Sequence, residues 1–400
     1  MLLSIAYIIL IALFFGWICK ELHFPNVFGM LIAGILLGPS MLNLIDQSIL
    51  NSSLELYQIA LIILLLRTAF SLETDELKNA GKPTLLMSFL PACCEIAGTM
   101  LLAPMILGIS ILEGALLGTV LSAVSSGIVI PKMNTIKDEQ YGMNKGIPQL
   151  LLTSTPRDNM IVILLFSAYM ELALTPSTAV PFTNIVNVPI SLILGIVLGS
   201  LLGILLSLLF TKVHIRDTIK VLILLAISFI LIALEKHLSL PIAAFIAILC
   251  CGMMIRKRKE KVAGRLFFKF GKLWVAAEIM LFVLVGATVS LETIQQSGFM
   301  FLLLIIGALT FRMIGVFLCL LKTDLTNNER IFCMISYLPK TAIQAAIGGI
   351  PLTMGFSSGN TILTICVLAI LITAPLGAFG IELSYQKLLV KSQEHSHNNL

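Results

Sequence analysis

Residues 123–131 read A-V-S-S-G-I-V-I-P and lie inside the apolar run 112–134. Residues 339–351, inside the apolar run 329–354, read P-K-T-A-I-Q-A-A-I-G-G-I-P. Small residues, glycines and prolines at membrane depth interrupt a helical hydrogen-bond ladder. In lipid this is tolerated only where the freed backbone groups line a cavity or find partners in protein. Two such interruptions in corresponding halves of a chain point to a transporter's binding site.

The surrounding composition makes a membrane the right setting. Of 400 residues, 58% are hydrophobic and 12% charged, and the mean hydropathy is +1.03. Soluble chains carry about a quarter charged residues. These values exclude an ordinary soluble domain, a disordered chain, a collagen-like fibre and a secreted disulfide scaffold. The cysteines at 93–94 and 250–251 are adjacent, none shows C-x-x-C spacing, and all eight sit in apolar runs. They read as small buried hydrophobes rather than as metal ligands or disulfide partners.

A spanning helix takes roughly 20 apolar residues, and about thirteen such segments fit the chain. Their limits are 2–19, 26–45, 56–72, 84–108, 112–134, 147–173, 187–211, 219–235, 238–255, 273–290, 297–321, 329–354 and 358–381. The first lacks a basic n-region and an A-x-A site, so it reads as a span and not as a cleaved leader. The fold class expected is therefore an all-α polytopic membrane protein.

Numbering the connections alternately sorts the 26 basic residues. Lys20, Lys78, Lys82, Lys132, Lys137, Lys145, Lys212, Arg216 and Lys220 share one side. So do the run Arg256 to Lys272, Lys322, Arg330, Lys387 and Lys391, while Lys236 stands on the other. By the positive-inside rule the N-terminus is expected outside and the C-terminus in the cytoplasm. The basic stretch 256–272 interleaves Leu266, Phe267, Phe268 and Phe270. It reads either as an amphipathic helix on an anionic leaflet or as a solvated loop. The tail Ser392–Leu400, with His395 and His397, reads as a frayed polar end.

Arg67, Glu95, Arg157, Asp158, Glu278, Arg312 and Lys340 remain inside spans. Intramembrane ionisable groups are costly and mark pathways by default. Arg67 and Glu278 sit near span ends, where packing or snorkelling suffices. Glu95 and Arg312 sit mid-span, and mutual pairing is the economical arrangement. Asp158 is the most informative. It lies in T-S-T-P-R-D-N at 153–159, where a buried carboxylate can hold a hard cation when ionised or a proton when neutral. A structural Arg157–Asp158 cluster is the competing reading. Segments five and twelve are seven apart, so they cross the membrane in opposite directions, as an inverted repeat requires.

The chain resembles the monovalent cation/proton antiporter superfamily. It is most similar to the animal NHA-type sodium/hydrogen exchangers and their bacterial relatives. The residues carrying this are A-V-S-S-G-I-V-I-P-K-M at 123–133, Y-G-M-N-K-G-I-P-Q-L-L-L at 141–152, L-F-V-L-V-G-A-T-V at 281–289 and E-R-I-F-C-M-I-S-Y-L-P-K-T-A-I-Q-A-A-I-G-G-I-P-L at 329–352. R-T-A-F-S-L-E at 67–73 and the Pro91/Glu95 pair add to them.

The resemblance implies thirteen helices in two inverted repeats, with a dimer domain, a core domain of crossed broken helices, elevator-like alternating access and a homodimer in the plasma or inner membrane. It divides the chain into dimer-domain helices (1–83), core helices (84–173), a linker helix (174–211), scaffold helices with the basic loop (212–272), helix ten with the second core (273–381) and a tail (382–400). It further implies a Glu95–Arg312 core pair and an ion and proton site at Asp158 and Asn159, helped by Thr153 and Ser125. Lys340, Gly348, Gly349, Ser126 and Gly127 would support the broken helices. The substrates implied are H+ and a monovalent cation, transiently bound at Asp158: Na+ first, Li+ or K+ next. No cofactor is implied.

Two departures stand out. The family's G-A-S-x-D-D is S-T-P-R-D-N here, so Asn159 takes the position of the ion-binding aspartate. The usual Ser-Pro of the fifth helix is Ser125-Ser126. Either Asp158 has taken over, with Arg157 as its neighbour, or the chain is a transport-inactive relative acting as a sensor or partner. An intramembrane enzyme is disfavoured, since H-E-x-x-H is absent and the five histidines lie in loops or the tail.

Overall fold

The computed structural model describes residues 1–71, 81–174, 182–213, 216–237, 242–340 and 342–391. Lys78, His214, Thr341 and the tail from Ser392, with His395 and His397, lie outside the described residues. Within them the chain is helical, and the single extended contact is an isolated bridge between Tyr141 and Lys391. The helices run α1 (Leu2–Glu21), α2 (Asn26–Leu37), α3 (Gln47–Asn51), α4 (Ser53–Ser71), α5 (Lys82–Met87), α6 (Leu90–Leu107), α7 (Ile111–Ser122), α8 (Ser126–Asp138) and α9 (Ile147–Leu174). They continue as α10 (Phe182–Lys212), α11 (Asp217–His237), α12 (Ala244–Arg258), α13 (Glu260–Ala287), α14 (Leu291–Leu320), α15 (Asn327–Ser336), α16 (Ala342–Gly348), α17 (Ile350–Thr353) and α18 (Gly359–Leu388).

Nine segments of the described residues are long and apolar enough to cross a membrane. The other four expected spans are helical too, but each falls short for its own reason. Gly38 and Pro39 end α2 after 12 residues, about 18 Å of helix, where the sequence suggested continuation to 45. The helix α12 has 15 residues. The centre of α9 carries Arg157, Asp158 and Asn159. The twelfth is divided into α15, α16 and α17.

The basic stretch after Arg258 is helix, not loop. A kink at Lys259 (φ −139°) starts α13, which runs unbroken for 28 residues. Ala263, Leu266 and Phe270 face inward, while Phe268 is 71% exposed beside the lysines.

Helices meet closely where small residues allow it, as membrane helix packing requires. The α2–α13 crossing is one of the tightest. A Cβ on Gly34 would lie 2.2 Å from the Val283 carbonyl oxygen, and one on Gly286 would lie 2.4 Å from that of Leu31. With these contacts α13 packs on α2 and α4, and α10 packs on α12. A second group gathers α6, α7 and α14, with α9 against α7 and α8, and α15 and α17 against α18.

The two interrupted spans start alike. Ser110 and Glu113 form a capping box at α7, and Thr326 and Glu329 form one at α15. Each box satisfies orphan N–H groups at a helix start. Both interruptions touch the stretches the sequence singled out. The first lies at Ala123–Ser125, with Pro131 accommodated inside α8. The second lies at Tyr337–Lys340, before α16, and the helix breaks again at Gly349, between α16 and α17.

Candidate functional site

The interruptions meet each other. Ser125 N–H donates to the Pro339 carbonyl at 2.7 Å, so the two breaks are bonded backbone to backbone. Each break leaves carbonyls of the preceding half-helix without helical partners, as at any helix C-terminus.

Two buried cations take up those carbonyls. The Lys340 ammonium donates to Leu121 O at 2.5 Å, and Arg312 Nη1 donates to Ser122 O at 2.6 Å, both at the end of α7. Arg312 Nε donates to Tyr337 O at 3.2 Å, at the end of α15. Cations at helix C-termini interact favourably with the exposed carbonyls and the helix dipole.

The same cations hold both carboxylates. Arg312 Nη1 lies 2.9 Å from Glu95 Oε2, and Nη2 lies 2.6 Å from Asp158 Oδ2. Lys340 Nζ lies 2.8 and 2.6 Å from the two Glu95 oxygens. All four side chains are at most 1% exposed. With two carboxylates and two cations ionised, the cluster is electrically neutral, which is the condition under which buried charges are tolerated. The Tyr337 ring lies under the Arg312 guanidinium, 5.2 Å from centroid to Cζ.

The guanidinium paired with Asp158 is therefore that of Arg312, from a different helix. The sequence had pointed to Arg157, but consecutive residues on a helix project about 100° apart. The Asp158 pairing is one-sided. Its Oδ1 is buried and has no hydrogen-bond partner among the described residues.

Asn159 does something else. Val124 N–H donates to its Oδ1 at 3.0 Å, and its Nδ2 donates to Val124 O at 2.9 Å and to Ser126 Oγ at 2.8 Å. The amide clips the interrupted backbone between α7 and α8 through both its acceptor and its donor.

The remaining sequence-derived residues spread around this centre. Ser125 caps α8, accepting from Ile128 N–H at 3.3 Å, and Thr153 is buried on α9. Gly348 and Gly349 are packing positions: a Cβ would meet Cys366 Sγ at 2.6 Å or the Tyr57 ring at 2.5 Å. Gly127 has open space around it, with only Ser125 Oγ at 4.0 Å. Arg67 stacks over Phe267, 5.7 Å from its centroid, far from the crossing in sequence and on α4. Sequence reasoning missed the Tyr337–Ser154 contact at 2.7 Å. Its one available signal was Ser154 standing four residues before Asp158, on the same helix face.

Comparison with known proteins bears on what this centre is. A family model described as "Sodium/hydrogen exchanger, transmembrane" matches residues 9–383. The chain belongs to the sodium/hydrogen exchanger family. It is an integral membrane protein and a secondary transporter rather than an enzyme. Sodium/hydrogen exchanger 9B2 of Homo sapiens is 28% identical over 388 residues, covering 93% of this chain and 71% of the relative. Sodium/hydrogen exchanger 9B1 of Mus musculus is 29% identical, covering 92% and 67%. Among solved structures, the sodium proton antiporter MjNhaP1 from Methanocaldococcus jannaschii at pH 8 superposes with a TM-score of 0.79 at 18% identity, over 97% of this chain and 99% of that one. At that identity the likeness speaks for the exchanger fold.

Proposed function

We propose that this exchanger carries a monovalent cation against H+ by alternating access, one charge for one charge, with Asp158 as the cation's anchor. Sodium is the first candidate, with Li+ and K+ next. The observation that carries this is the free, buried Oδ1 of Asp158 beside a charge-neutral cluster at the meeting point of two broken helices. An ionised carboxylate oxygen with no donor is a ready ligand for a hard cation. Ser125 and Thr153 are the hydroxyl residues assigned to it as further oxygen ligands. Pro156 contributes too, since it has no N–H to give to the Leu152 carbonyl one turn before the site.

The twin capping boxes and twin C-terminal cations support an inverted repeat, and with it the thirteen-helix arrangement, the core division at 84–173 and 273–381, and a dimer domain. The basic residues support an N-terminus outside and a C-terminus in the cytoplasm of a cell-membrane protein, which functions as a homodimer in this reading. Glu95 and Arg312 tie the core helices together and balance charge. Since Arg stays protonated at accessible pH, its contact with Asp158 keeps the cluster neutral and favours electroneutral exchange.

The test is proton flux in proteoliposomes driven by Na+, Li+ or K+ gradients. Asp158→Asn is expected to abolish cation-dependent flux, and parental flux in that variant overturns the assignment. One observation favours a second reading, a transport-inactive relative acting as sensor or partner: Asn159 replaces a carboxylate and is engaged with the Val124 backbone and the Ser126 hydroxyl. A parent protein silent with all three cations would establish it.

A further inference from the structure

We propose that the proton exchanged for the cation is carried by Lys340, paired with Glu95, and not by the carboxylate that takes the cation. This rests on the reading of Asp158 as the cation's anchor and says where the opposing proton sits.

The argument is one of charge and contacts. Glu95 faces two cations, while Asp158 faces one. A cation arriving on Asp158 Oδ1 puts three positive charges against two negative ones in a site closed to water, which is strongly unfavourable. One positive charge must leave for neutrality to return. Arg312 cannot supply it, because a guanidinium does not deprotonate in proteins. Lys340 can, because an ammonium that gives up one proton is left as a neutral amine.

The surroundings of Lys340 suit that role. Its three donors go to Glu95 Oε1, Glu95 Oε2 and Leu121 O. When the ammonium becomes an amine, Glu95 keeps Arg312 as its partner at 2.9 Å, so no carboxylate is stranded. The groups facing Lys340 are Glu95 from α6, the Leu121 carbonyl from α7, Asp158 from α9 and Arg312 from α14. The α18 side contributes Thr373, whose hydroxyl is spent on Ala369 O. Lys340 touches Glu95 and not the cation's anchor, so cation and proton occupy separate groups joined through Arg312 and Glu95.

In the step itself, the Nζ–H bond breaks and its electron pair stays on nitrogen. The proton passes to Glu95 and from there to water at whichever face is open. Cation release reverses it.

The experiment is calorimetric titration of the purified full-length protein with NaCl, LiCl and KCl, in two buffers of different ionisation enthalpy. The parent is expected to release one proton per cation bound, with apparent Kd rising tenfold per pH unit on the acid limb. Lys340→Gln imitates the neutral amine, with Glu95 still held by Arg312 at 2.9 Å. It is expected to bind the cation with no proton release and a flat pH profile. Lys340→Arg keeps the positive charge and cannot shed it, so its cation binding is expected to be lost. It serves as the second arm if Lys340→Gln does not fold. One proton released per cation by Lys340→Gln, or cation binding retained in Lys340→Arg, overturns the proposal and leaves Asp158 as the proton carrier. A parent that binds none of the three cations overturns the functional reading itself, and this proposal with it.

Discussion

Replacing Asn159 by aspartate restores the family's acidic pair in sequence, yet the structure predicts damage. The amide makes two bonds to the interrupted backbone, at 3.0 and 2.9 Å, and one to the Ser126 hydroxyl at 2.8 Å, and is 1% exposed. A carboxylate keeps only the bond accepted from Val124 N–H. It loses both donors and sets an anionic oxygen against the Val124 carbonyl. An orphaned buried carbonyl costs about 1–3 kcal/mol, and an unpaired buried charge costs about 3–5 kcal/mol. A reversed Ser126 hydroxyl recovers about 1.5–3 kcal/mol as a charge-assisted bond. The net loss for Asn159→Asp is about 2.5–5 kcal/mol, low ends and high ends taken together. Each 1.4 kcal/mol is about tenfold in an equilibrium, so the folded-to-unfolded ratio falls by a factor of at least about 60. The assay is thermal unfolding in detergent at pH 8 beside proteoliposome flux, with Ser126→Ala as the single-bond control at about 1 kcal/mol. A midpoint about 3–6 °C lower, with less flux than the parent, is the expected result. A variant as stable as the parent that gains cation-dependent proton flux refutes the clip and marks Asn159 as the residue that silenced the site.

Two other predictions concern the scaffold. Gly34→Ala forces a methyl to 2.2 Å from the Val283 carbonyl oxygen, so α2 and α13 must separate. The expected cost is about 1–3 kcal/mol, read as a lower unfolding midpoint, with no change in the order of cation preference. In the connection before α4, the Ser48 N–H at 2.9 Å and the Ser48 hydroxyl at 2.8 Å hold the Asp46 carboxyl well below its ordinary value. Its contribution is present above about pH 4 and is lost as pH falls through the lowered folded-state value. Asp46→Asn is expected to lower the midpoint at pH 7 and to reduce its further fall between pH 5 and pH 2. An unaltered pH profile counts against the cap.

Much of the site was legible because charge is so scarce in this chain. Glu95, Asp158, Arg312 and Lys340 stand out in apolar runs, and all four meet at one place. Their pairing was less legible. Chain proximity suggested Arg157 for Asp158, while the fold brings Arg312 across from α14 to pair with it. Glycines and prolines announced both interruptions, but not that the second falls in two places. Gly349 parts α16 from α17 while Gly348 and Gly349 also pack against Cys366 and Tyr57, and the backbone leaves helical form once more at Tyr337–Lys340. A glycine's need is set by its neighbours, and neighbours are not written in local sequence.

By itself, the sequence determined the medium, the helical class and the few residues that could do chemistry. Hydrophobicity, span length and the cost of charge in lipid act on each segment independently. Only the tertiary structure decided which oxygen of Asp158 stays free, that Asn159 is spent on Val124 and Ser126, and that Lys340 and Arg312 close the ends of half-helices while balancing two carboxylates. Those outcomes depend on distances between helices far apart in the chain, where a few ångströms decide whether a buried charge has a partner.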